Sequence, residues 1–195
     1  CMGISCLFPN MRRLQSDCIA AFTQALMSEE FPTFVSLPRQ WWPKHWHDRG
    51  FKQLVCRLRR ALYGHPRSGD LWHQHLHRVL TRHQFKCVEG WPSIYYRTFS
   101  TGGGAATGIE KTELAVILVY VDDLLIFGST IIDPIIAEIR TEIDMEDLAP
   151  LTKYLGCTHQ VVVSGKLTYV TVEMQSYFNS ALQIYKDTTC LLYTS

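Results

Sequence analysis

Two apolar, β-branched runs, Glu113 to Val121 and Leu124 to Phe127, are separated only by Asp122-Asp123. Runs of this composition read as strands, and so short a gap between them signals a tight antiparallel hairpin. The chain must therefore build a sheet around a reversal that carries two adjacent carboxylates. Like charges so close raise each other's pKa, and a divalent cation relieves the repulsion. Magnesium suits such a place, because it takes one or two carboxylates and completes its shell with water and phosphate oxygens. Side chains on extended backbone alternate in direction, so a third carboxylate from another strand is needed. Asp17 is the candidate: a short strand ends near it and helix-forming residues Ala20 to Met27 follow, where backbone amides favour anionic phosphate. Plainer readings of the same residues are Asp tolerated in a turn and Asp17 as a helix cap.

The remaining segments suggest an α+β fold. Phe34 to Leu37 alternates like a strand and stops at Pro38, and residues 38–50 read as a loop. Leu71, Trp72, Leu76, Val79 and Leu80 recur every three to four positions, which predicts an amphipathic helix from Asp70 to His83. Ser93 to Phe99 reads as a strand, with Thr101 to Gly108 as a tip. Ile131 to Met145 reads as a helix with Pro134 in its first turn. Leu155 to Val163 and Leu167 to Val172 form a second hairpin, and Val172 to Lys186 a closing helix.

The formal charge of +1 over 195 residues conceals a division. Residues 1–100 carry fourteen Lys and Arg against six Asp and Glu; residues 101–195 carry five against twelve. A basic first half suits a polyanionic partner. The seven scattered cysteines include no CxxC pair, so small buried thiols in a reducing compartment are expected. The longest apolar run, Leu114 to Val121, is far too short to span a membrane.

Five ordered segments carry a family resemblance. ALYGHPRSGDLW (61–72) followed by LAVILVYVDDLLIFG (114–128) resembles the reverse transcriptase of copia-type LTR retrotransposons. LQSDCIAAFTQA (14–25), FVSLPRQWWP (34–43) and DLAPLTKYLG (147–156) are similar to further motifs of that family, in the family's order, over about residues 12–187. The resemblance implies a polymerase palm, an antiparallel sheet with helices packed on one face. It implies that Asp17, Asp122 and Asp123 hold two Mg2+ ions, with Mn2+ as a substitute, Asp123 playing the weaker part. Phe22 matches the aromatic gate beneath the incoming sugar. Tyr120 and Val121 would lie against the primer terminus and Gly156 near the hairpin that grips it. Arg67 stands in a turn where many members place glutamine followed by alanine or serine, so it is expected to contact phosphate instead. Arg57, Arg59 and Arg60 form a stripe suited to nucleic-acid backbone, or a solvated strand face.

Implied partners are an RNA or DNA template, a DNA or tRNA primer and dNTPs, with integrase and ribonuclease H regions in a longer parent and no membrane. The implied location is intracellular, in a cytoplasmic particle or the nucleus. The expected activity is RNA-directed DNA polymerisation. The alternatives are another two-metal nucleotidyl transferase and a truncated remnant that keeps the fold and at most binds nucleic acid. With sixteen residues before Asp17, residues 1–187 are expected to be a palm with partial fingers that does not polymerise alone. Cys190 to Ser195 resembles translated sequencing-adapter sequence, and residues 188–195 are set aside as a tail. His73 and His77 have the i, i+4 spacing of a helical zinc pair, but no HExxH or nearby cysteine completes a site, which favours a solvated face. Trp41, Trp42 and Trp46 suit base stacking or a buried cluster equally.

Overall fold

The computed structural model describes residue 6 and residues 10–101, 111–165 and 167–193. Residues 102–108 of the expected tip, and Lys166 of the second hairpin, lie outside the described residues. Eleven strands and five α-helices are described: β1 (Arg12–Asp17), α1 (Ala21–Gln24), β2 (Phe34–Ser36), α2 (Lys44–Asp48), β3 (Val55–Arg57), α3 (Ser68–Arg82), β4 (Lys86–Val88), β5 (Trp91–Thr101), β6 (Lys111–Tyr120), β7 (Asp123–Gly128), α4 (Ile132–Ile139), β8 (Ala149–Pro150), β9 (Lys153–Tyr154), β10 (Cys157–Ser164), β11 (Leu167–Glu173) and α5 (Gln175–Tyr193). The fold is α+β. The main sheet runs β4-β5-β6-β7-β1-β8, with its pairs antiparallel. A smaller sheet orders β11-β10-β9, and β2 pairs with β3 alone.

The β6–β7 hairpin lies inside the main sheet, and its composition shows why. Leu124 and Ile126 enter the larger core cluster, whereas Leu125 and Phe127 enter a second cluster on the opposite face. A strand covered on both sides needs apolar residues at every position, not at alternate ones. Helices α3 and α4 pack on one face of the main sheet. There α3 contributes Trp72, Leu76, Val79 and Leu80, and α4 contributes Ile132, Ile135, Ile136 and Ile139, both at i, i+3/i+4 spacing. Burial of this stripe overrides the modest helix propensity of four isoleucines. The other face is covered by Tyr154, with Leu151 packed beside it, next to Met11, Val116, Leu125 and Phe127.

Several boundaries differ from expectation. The helix expected over 20–27 is only the four residues of α1, because Ala25 returns to extended backbone. That over 131–145 stops at Ile139, where the chain turns through Arg140 to Glu142. Residues 38–50 are not all loop, since they hold a 3-10 turn at Arg39–Trp41 and the short α2. The final helix continues to Tyr193, past the expected end. Cys18 is buried, but Cys6, Cys56, Cys87 and Cys157 are only half-buried, and all five are free thiols. No helix among the described residues is long and apolar enough to cross a membrane.

One side-chain bond ties the helical layer to the hairpin tip. The indole Nε1 of Trp72, 1% exposed, donates to the Val121 carbonyl at 2.6 Å. Trp72→Phe keeps an aromatic ring there but removes this donor, and it is expected to lower the unfolding free energy by about 2 kcal/mol. Urea denaturation of the two chains measures this; coincident midpoints would show that the bond contributes nothing.

Candidate active site

The acidic site forms where β1 meets the hairpin. Asp17, the last residue of β1, pairs in register with Asp123, the first residue of β7, and Asp123 also pairs with Tyr120 at the end of β6. Residues directly opposite on antiparallel strands share a face, so the Asp17 and Asp123 side chains lie together. Asp122 is in the turn itself. The two-residue turn is therefore Val121-Asp122, one residue earlier than the Asp122-Asp123 gap suggests. The third carboxylate required by the sequence comes from another strand, as expected.

Backbone bonds hold this corner from three directions. The Cys18 N–H donates to the Asp122 carbonyl at 2.8 Å, and the Trp72 indole secures Val121 from beneath. The Glu146 N–H donates to the Asp17 carbonyl at 2.9 Å. The Ile19 N–H donates to Asp144, and the Gln24 amide donates to the carbonyls of Ile19 and Asp144 while accepting from the Asp144 N–H. The first two amides after Asp17 are thus committed within the fold and do not serve as the expected phosphate donors. Val121 stands at φ 57°, a left-handed backbone rare for a β-branched side chain. Such strain persists only where surrounding bonds over-determine the geometry.

The electrostatics reflect three crowded acids. The Asp123 carboxyl is pushed up to about 6 by partial burial, by a side-chain hydrogen bond with Asp17, and by the charges of Asp17 and Asp122. The Cys18 thiol is pushed up to about 12, chiefly by burial and then by Asp122, Asp17 and Asp123. Asp17 is exposed, and Asp122 and Asp123 are half-buried. Among the described residues no group of three or more His, Cys, Asp or Glu side chains is placed to hold a metal ion. Asp17 and Asp123 lie opposite one another in register across β1 and β7. Carboxylate oxygens are the donor type that Mg2+ takes, its shell being completed by water and phosphate.

The other anticipated residues are distributed around this corner. Phe22, on α1, packs half-buried against the core, its ring 4.6 Å from that of Tyr63. Tyr120 and Val121 are exposed at the tip. Gly156 (φ 78°) follows Leu155 (φ 48°) in the turn between β9 and β10, and a Cβ at Gly156 would lie 3.4 Å from the Tyr177 ring. Arg67 precedes α3, exposed, with its guanidinium over the Phe31 ring. Arg57 and Arg59 are exposed. Arg60 donates to the Thr23 and Gln24 carbonyls at the end of α1, a structural use that the stripe reading did not foresee.

His73 and His77 stack on one face of α3, ring centroids 6.3 Å apart. His77 Nδ1 lies 3.1 Å from the Tyr95 hydroxyl, and His73 Nε2 donates to the Pro92 carbonyl, so both rings engage β5. Trp42 is buried, with its indole on the Leu37 carbonyl, whereas Trp41 is exposed. Sequence reasoning missed Tyr154, one residue before Leu155-Gly156, whose phenol is pushed up by burial and then by Asp123, Tyr120 and Asp17. Its only signal was its place beside that segment.

Comparison with known proteins agrees with this architecture. Residues 13–194 match the family described as reverse transcriptase (RNA-dependent DNA polymerase). The chain is also similar to the retrovirus-related Pol polyprotein from transposon TNT 1-94 of Nicotiana tabacum, at 26% identity over 116 residues. That alignment covers 58% of this chain and 8% of the tobacco polyprotein.

The raised Asp123 carboxyl has a consequence for stability. Its folded pKa exceeds the usual 3.8, so the stabilisation linked to its protonation is complete below that value and is lost as pH rises through about 6. In metal-free buffer the thermal midpoint should fall across this window. Asp123→Asn, which stays neutral, should remove that part of the slope. Calorimetry over a pH series checks this, and parallel profiles for the two chains would contradict it.

Proposed function

The chain belongs to the reverse transcriptase (RNA-dependent DNA polymerase) family, and on that premise we propose that it is the palm portion of an RNA-directed DNA polymerase. The observation carrying this reading is the register that sets Asp17 opposite Asp123 with Asp122 in the adjoining turn. In this reading Asp17 and Asp122 are the principal ligands of two Mg2+ ions, with Mn2+ as a substitute, and Asp123 supports them. When bound, the ions acidify a primer 3′-hydroxyl and neutralise the triphosphate and the pyrophosphate that leaves it. The carboxylates hold the cations in reach of the nucleotide, and the bonds from Trp72, Cys18 and Glu146 keep the acids in place. Preorganised charge of this kind acts without rearrangement during the reaction.

Tyr120 and Val121, exposed at the tip, would meet the primer terminus, with the Leu155-Gly156 turn beside them. Phe22, braced by Tyr63, would exclude a ribose 2′-hydroxyl. Arg67 would contact the triphosphate, and Arg57 and Arg59 the nucleic-acid backbone. Substrates on this reading are dNTPs, an RNA or DNA template and a DNA or tRNA primer. The accompanying integrase and ribonuclease H regions would belong to a longer parent.

In the full-length parent, Asp122→Asn is expected to reduce Mg2+-dependent primer extension on RNA by about a thousandfold, the loss of several kcal/mol of charge stabilisation. Extension at the unaltered rate would remove the two-ion assignment. Phe22→Ala is expected to raise ribonucleotide incorporation relative to deoxynucleotide by about tenfold or more. Single-nucleotide insertion assays read that ratio, and an unchanged value would leave Phe22 as a packing residue.

A further inference from the structure

A cleft of about 840 Å3 lies among α1, α3 and the turn after α4, and none of Asp17, Asp122, Asp123, Phe22 or Arg67 lines it. Its size falls within the range of about 300–1,000 Å3 usual for small-molecule sites. One wall is a single stripe of α3, because Leu71, Gln74, His75 and Arg78 follow the i, i+3, i+4, i+7 spacing of one helical face. That stripe runs beside the buried one of Trp72, Leu76, Val79 and Leu80, so packing of the helix fixes its direction. The rest of the lining is also held in place. Arg60 donates to the Thr23 and Gln24 carbonyls, and the Gln24 amide joins Ile19 to Asp144. Walls fixed in advance spare a ligand the cost of ordering them.

The charges in the cleft are not all matched. Glu142 is engaged by Arg82 and His83, and Arg140 by Asp147. Arg60 directs one nitrogen to carbonyl oxygens and meets no carboxylate. Among the described residues the exposed Arg78 and Asp144 side chains have neither a hydrogen-bond nor an ion-pair partner. Burial first and Arg78 second hold the His75 imidazole below its usual pKa, with Arg60 and Arg82 acting in the same sense and Glu142 against them. A neutral ring thus stands in a net positive field.

We propose that this cleft is a nucleotide site separate from the acidic corner, taking the phosphate of a nucleoside monophosphate on Arg78 and Arg60 and the base against Ile19, Leu26 and Leu71. A guanidinium matches phosphate through paired N–H donors, and Arg78 has its donors free. Inorganic phosphate alone would leave the rest of the cleft unfilled. Ile19 and Leu26 are 46% and 66% exposed, apolar area that a base covers. The Asp144 carboxylate accepts from sugar hydroxyls, and the neutral His75 ring offers one donor and one acceptor to a base edge. The site does not depend on whether Asp17, Asp122 and Asp123 hold a cation.

Isothermal titration calorimetry of the 195-residue chain with AMP tests this, in EDTA so that no divalent cation bridges the nucleotide to the acids. Arg78→Ala and Arg78→Glu are titrated beside it, and the thermal midpoint of each chain is measured without ligand. One AMP should bind per unaltered chain. Arg78→Ala should bind it about tenfold or more weakly, as expected for a lost hydrogen bond between charged groups, and Arg78→Glu more weakly still. The midpoints should agree closely, since the exposed Arg78 has no partner to lose. Adenosine and inorganic phosphate, the two halves of the ligand, should each bind more weakly than AMP. Absence of AMP binding, or equal affinity in the three chains, overturns the proposal. Arg78-dependent binding of oligothymidylate without binding of AMP also overturns it, because the cleft would then belong to a nucleic-acid strand.

Discussion

The antiparallel pairing of β1 with β7 sets Asp17 directly against Asp123, and the surrounding structure tolerates that repulsion. Like charges opposite one another weaken a strand pair by up to about 1 kcal/mol. Each fully buried large apolar side chain contributes about 1.5–3 kcal/mol in the other direction. The hairpin arm beyond Asp123 has four such residues in succession, Leu124 to Phe127, split between the two core clusters. The apolar arm therefore wins decisively, and the acids are held at the sheet end by burial elsewhere. This arrangement leaves the carboxylates close, with the Asp123 carboxyl raised in pKa.

Backbone strain gathers around the same corner. Among the described non-glycine residues with positive φ, Ala20 lies three residues after Asp17, Val121 precedes Asp122, and Leu155 follows Tyr154. Each such residue costs of order 1–3 kcal/mol. At Val121 the restraints are visible in the Trp72 indole bond to its carbonyl and the Cys18 N–H bond to the next residue.

Legibility followed the range of the interactions. The hairpin was readable because both arms and the turn fall within one short stretch, and α3 because its stripe repeats at helical spacing. Asp17 was readable as a partner of Asp122 and Asp123 only by requiring a third acid, and the family resemblance then selected it. The one-residue displacement of the turn was not readable, since Val121 in a left-handed conformation contradicts its local preference and depends on Trp72, forty-nine positions away. Arg60 looked like a surface cation because its carbonyl partners, Thr23 and Gln24, are distant in sequence. His73 and His77 read as a solvated helix face because Pro92 and Tyr95, which engage them, are on another strand.

By itself the sequence determined an antiparallel hairpin bearing two acids, an amphipathic helix to cover a sheet, and an ordered set of segments that resembles one polymerase family. These follow from local periodicity, turn chemistry and residue order. Only the tertiary structure decided that β1 lies between β7 and β8, that the hairpin is buried on both faces, and that Tyr154 closes the second face with its hydroxyl unpartnered. Strand order, two-sided burial and the meeting of side chains depend on contacts between residues far apart in the chain. Their energies arise only when the whole sheet is assembled, so no local pattern encodes them.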